Sequence, residues 1–177
     1  MPSTLLEPCP GCGAPLPPLD GPTHRYIGAS PACWAIYSAL GVGEPPIAPT
    51  PLGAMLVDAY AAQHPGVPSD QSIQSVAVHL IALYGVLVRG HSPDEAVGLR
   101  TRPLREQTGS KRGRFHWLTP PDLSGTVTVA AIAAAPTPEE RAQLVERCVR
   151  SVWEAWAAGY EPTVAAWYER YVLPSRL

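Results

Sequence analysis

The chain has 177 residues, 46% of them hydrophobic and 16% charged, with a formal net charge of −2. That is enough apolar material for a core and too little charge for a disordered chain. The charge balance gives no global attraction to nucleic acid or membrane, and the longest nearly apolar run, 76–88, is shorter than the about 20 residues that a bilayer span takes.

In chain order, residues 1–30 are rich in Pro and Gly and lack helical periodicity, so they form a loop-built cap. The start MPSTLLEPCPGCG has no basic end and no apolar stretch, so a cytoplasmic chain without a secretory signal is expected. Ser30-Pro31 reads as N-cap and first position of a helix over 31–40. Gly41 to Pro51 is a stiff loop. Leu52, Met55, Leu56, Ala59, Tyr60 and Gln63 recur at helical spacing and predict a helix over 52–64, which His64-Pro65 stops. Residues 71–89 are apolar on nearly every side, so they form a buried central helix, with Ser69 or Asp70 as N-cap and Gly90 just past its end.

Ser92-Pro93-Asp94-Glu95 is a capping box opening a short helix to about Arg100. Residues 101–125 are irregular, and 126–129 alternate enough for a short strand. Thr137-Pro138-Glu139-Glu140 starts a long amphipathic helix carrying Cys148, Trp153 and Trp156, expected to end near Gly159. Pro162 then opens a last helix with Trp167 and Tyr171. The tryptophans at helical spacing read as core. The expected fold is mainly α: one domain over 1–177, with the 1–30 cap packed on helices 31–172.

Four cysteines in a reducing compartment point to metal or redox chemistry rather than disulfides. Cys9-Pro10-Gly11-Cys12-Gly13 is a knuckle whose two thiolates can reach one Zn2+. No βαβ context supports a redox reading. Cys33, at the third position of its helix, is a third ligand favoured by the helix's positive end. If helices 31–40 and 52–64 run antiparallel, Cys33 comes level with His64. The expected metal set is therefore Cys9, Cys12, Cys33 and His64, with His24 and His79 in reserve. The alternative for His64 is an imidazole that binds the last carbonyls of its helix. Cys148 reads as a small core hydrophobe.

The same register places His79 near Asp58, about 12 Å below the start of its helix. His79 is expected to be buried and hydrogen-bonded to Asp58, whose carboxylate needs a partner. His79→Leu would then cost on the order of 3 kcal/mol. The pair could equally support a metal site or act as a general base.

The segments CPGCGA, THRYIGASPACW, DAYAAQHPG, QSIQSVAVHL and SVWEAW together resemble an uncharacterised bacterial family of small proteins, a domain of unknown function, from about Cys9 to Trp167. The resemblance implies no activity. Members of that family carry a His-His pair shortly after SVWEAW. This chain has Ala158-Gly159-Tyr160-Glu161 there, which favours structural over catalytic roles.

Residues 100–116 hold six basic residues and one acid, a net charge of +5 against −7 for the remainder. Phe115 and Trp117 could stack on a base. Three readings follow. The first is a structural zinc in a domain that binds a small molecule or protein. The second is a zinc-dependent enzyme, of hydrolase or lyase type, with an open metal position and His79 or Asp58 as base. The third is nucleic-acid binding through loop 100–116.

Overall fold

The computed structural model describes residues 5–105 and 114–173. Two short strands come first, β1 (Glu7–Pro8) and β2 (Pro15–Leu16), paired antiparallel with Glu7 opposite Leu16. The helices are α1 (Pro31–Gly41), α2 (Leu56–Gln63), α3 (Asp70–Leu87), α4 (Ala96–Arg105), α5 (Val129–Ala134) and α6 (Pro138–Tyr171). Single 3-10 turns, Gly53–Met55 and Pro93–Glu95, lead into α2 and α4. The fold is mainly helical, as the patterning predicts. Among the described residues no helix is long and apolar enough to cross a membrane.

Helix α3 is the centre, packed by α2, α4 and α6. Ser69 caps it by accepting from the Ser72 amide at 3.1 Å, and Gly90 follows its end with φ +75°. Leu80, Ile81 and Leu83 are fully enclosed. Gly85, an interruption in the apolar pattern, has a packing reason. A Cβ there would lie 2.6 Å from Leu99 Cδ1, so its absence lets α4 approach.

Three expected elements differ. The strand at 126–129 does not form: Thr128 caps α5 instead, accepting from the Ala131 amide. Side chains replace a ladder for Val127. Its amide donates to Ser151 Oγ, and its carbonyl accepts from Gln63 Nε2. Helix α4 runs past Arg100 because Ala96, Leu99 and Pro103 form one buried stripe. The last two helices are one, since α6 passes through Gly159 and Pro162 without a break. An interior proline costs about 3 kcal/mol. Here the buried face continues across it, from Trp156 to Val164, Trp167 and Tyr168, and that packing outweighs the lost hydrogen bond.

Candidate metal centre

The cap is built around the knuckle. The Cys9 amide donates to the Ala14 carbonyl and the Gly13 amide to the Cys9 carbonyl, which closes the turn between β1 and β2. Gly13 has φ +71°, a conformation that L side chains resist. Gly11 must be glycine for a different reason. A Cβ there would lie 2.4 Å from His64 Cδ2.

Helix α1 delivers the third thiol. Ser30 Oγ accepts from the Cys33 amide at 3.2 Å, while the Ser30 amide points to Cys9 Sγ at 3.4 Å. One residue thus caps α1 and supports the knuckle. The register of α1 and α2 is antiparallel, as expected. Cys33 meets His64, and one turn further Tyr37 stacks on Tyr60 with ring centres 3.9 Å apart.

Helix α2 delivers the imidazole, and three of its last carbonyls have donors. Tyr60 O accepts from His64 Nδ1 at 2.8 Å, Ala61 O from the His64 amide, and Ala62 O from Trp156 Nε1 at 3.0 Å. Gln63, fully buried, donates to Thr126 Oγ1 and to Val127 O. His64 therefore does two jobs. Its Nδ1 binds the helix end, as the capping reading expects, and that bond makes Nε2 the nitrogen that faces the thiols and offers its lone pair once deprotonated. Across the way, the Gly28 amide donates to the His64 carbonyl. Gly28 and Gly66 pack so closely that a Cβ on Gly28 would lie 2.8 Å from Gly66 Cα.

The ligand atoms of Cys9, Cys12, Cys33 and His64 lie within 4.8 Å of one another, and all four residues are buried. Cys12 Sγ and Cys33 Sγ are 3.9 Å apart, and Cys33 Sγ is 3.4 Å from His64 Nε2. Two sulfurs at about 2.3 Å on a tetrahedral ion stand about 3.8 Å apart, so the donor set fits one metal ion. No pair is bonded as a disulfide. Tyr60 Oη donates to Cys33 Sγ at 3.7 Å.

The electrostatics point the same way. Hydrogen bonds from Cys12 and Cys33 hold the Cys9 thiol far below its ordinary range, against the effect of burial. The same partners act in reverse on Cys33. Bonds to Cys12 and Cys9, then burial, push it far up. Burial pulls His64 down, but hydrogen bonds to Cys12 and Cys9 outweigh it and raise the ring to about 9. The bare cluster thus favours ionisation at Cys9 and resists it at Cys33. A divalent cation would remove that penalty.

The other expected residues lie elsewhere. His24 packs edge-on to Tyr26 at 4.4 Å and is outside the cluster. Cys148 is fully buried on α6, and burial raises its thiol to about 12. His79 Nδ1 does bond Asp58 Oδ1, at 2.8 Å. However, its side chain is 16% exposed rather than buried, and Asp58 has a second partner, Arg100 Nη1, at 2.5 Å. Arg100, the first residue of the basic segment, is thus tied to a buried carboxylate rather than free to grip an anion with its whole guanidinium. Phe115 is not a free stacking surface. It is 8% exposed and packs edge-on to Trp167 and Tyr171. Residues 106–113 of the basic segment lie outside the described residues.

A cleft of about 460 Å³ opens on the outer face of the knuckle, lined among others by Pro10, Gly11, Pro65, Val67, Pro121 and Asp122. Glycines and prolines make up much of its lining, and Val67 there is 75% exposed.

Fold and site together define a class, a small helical bundle with a buried three-cysteine, one-histidine cluster under a looped cap. The chain belongs to a family of unknown function, DUF5946, whose model matches residues 7–157 and so spans the whole cluster. No curated protein and no solved structure matches it.

Proposed function

We propose that the protein binds one Zn2+ through Cys9, Cys12, Cys33 and His64, that the ion is mainly structural, and that the cap it holds presents a surface for a small molecule or protein. The observation that carries this reading is the convergence of four buried donor atoms within 4.8 Å, two from the knuckle and two from helices α1 and α2. Thiolates and imidazole suit zinc, whereas magnesium and calcium prefer oxygen. Four protein donors complete a tetrahedron and leave no position for water, which argues against a zinc-dependent hydrolase or lyase. The nucleic-acid reading has less support, because Arg100 is committed to Asp58 and Phe115 to the core. A thiolate-rich site requires a reducing compartment, consistent with a bacterial cytoplasm. The cleft beside the knuckle is the natural place for the ligand or partner, since the ligand loop forms its wall.

Elemental analysis of freshly purified protein tests the reading. About one equivalent of zinc per chain is the expected result. Protein that is folded and carries no transition metal overturns it.

A further inference from the structure

Asp58 is fully enclosed, yet it holds two partners from two other helices. His79 Nδ1 of α3 takes Oδ1 at 2.8 Å, and Arg100 Nη1 of α4 takes Oδ2 at 2.5 Å. One guanidinium already faces this buried carboxylate, which is the pairing a buried acid needs. The second partner is surplus to that pairing. Each partner also keeps nitrogens in hand, and His79 Nε2 becomes a donor only when the ring carries a second proton. His79 Nε2 and the remaining Arg100 N–H groups have no partner among the described residues, and none of these atoms is sealed from solvent. The two side chains are 16% and 18% exposed.

The neighbouring titratable group is Tyr37, which feels burial first and then the charges of Asp58 and Arg100. Among the described residues no second carboxylate pairs with His79 or Arg100. With Asp58 neutralised by Arg100, a proton on His79 gives the group one net positive charge at the protein surface. This arrangement lies six residues before His64 on α2, or about 9 Å along the helix, and the Tyr37–Tyr60 stack stands between the two.

We propose that His79 and Arg100 form a binding site for a small oxyanion, of the carboxylate or phosphate class, with Asp58 as the positioning residue. Asp58 fixes the imidazole so that Nε2 faces outward. It also fixes one arm of the guanidinium, which leaves the planar fork to take two oxygens of one anion. The bound anion favours the imidazolium, because an opposite charge nearby stabilises the charged form.

The test is an NMR titration of isotope-labelled, metal-loaded protein with inorganic phosphate and, separately, acetate, at constant ionic strength with chloride as reference. A saturable shift of the His79 ring and Arg100 side-chain signals is the expected result, with uptake of a proton at His79. Which anion saturates first separates a phosphate ligand from a carboxylate. His79→Gln keeps a donor for Asp58, and Arg100→Lys keeps the charge. Both should weaken binding at least tenfold while metal content is unchanged. Shifts that stay linear in the unaltered protein, or affinity that is unchanged in either variant, overturn the proposal and leave the group as a tie between α2, α3 and α4.

Discussion

The cap and the helical bundle are held together by different physics. In the bundle the large apolar side chains are inside: Met55, Leu80, Ile81, Ile132 and Trp156 are essentially inaccessible. In the cap they are largely outside. Leu5, Leu6 and Leu19 are 81%, 56% and 49% exposed, while the residues most deeply buried are Cys9 and Cys12. Hydrophobic burial is worth about 25 cal/mol per Å2, and a segment that leaves all its leucines but Leu16 exposed gains little of it. What the cap buries instead is polar sulfur, which needs a partner. The contrast teaches that the cap is organised around its buried cysteines first and is a packed layer second.

The two regions should therefore fail separately, and the largest effect belongs to the cap. Cys9→Ser or Cys12→Ser, or exhaustive chelation, should forfeit metal binding coupled to folding, up to ~10 kcal/mol in small zinc modules. Cys148→Ser should cost about 1–3 kcal/mol, as a hydroxyl placed in an apolar core. Melting curves with metal analysis check this; equal melting temperatures for the three variants would refute the division.

Next in size is the bundle's own anchor. Trp156→Ala should cost about 3–5 kcal/mol, because it opens a cavity in the core. It also strips the Ala62 carbonyl of its donor. Denaturant unfolding measures the loss, and zinc should remain bound in the variant under native conditions.

Gly11→Ala probes the contact between the regions. Its Cβ would meet His64, so the ring must move or the knuckle must shift. Overpacking of this kind costs about 1–3 kcal/mol. Here the effect should fall on metal affinity more than on the bundle, as competition with a chromophoric chelator would report.

The smallest effect is expected at Asp58. His79→Leu removes one of two partners, and Arg100 stays in place. The loss should be about 1 kcal/mol, nearer to one ordinary hydrogen bond than to the 3 kcal/mol expected for a carboxylate left alone. Zinc content should not change. A variant that loses zinc would place His79 in the metal shell.

Much of this division was legible in the sequence. Helix starts were clear because Ser30, Ser69, Ser92 and Thr137 each carry the chemistry of a cap. The convergence of Cys33 and His64 followed from helix lengths and an antiparallel register. The continuity of α6 was hidden, since Gly159 and Pro162 are local stop signals and the packing that overrides them is tertiary. Arg100 was hidden for a related reason. A basic residue in a basic run gives no sign of a buried acid 42 positions earlier. Gln63 likewise looked like one more residue at helical spacing, yet it satisfies the backbone where the strand over 126–129 was expected.

The composition of the metal shell is the most direct test. X-ray absorption at the zinc edge of the purified protein should give three sulfur neighbours and one nitrogen, with zinc–sulfur distances of about 2.3 Å. A shell with an oxygen in place of one of these, or with two sulfurs or fewer, would contradict a closed structural site. It would return the ion to the catalytic reading.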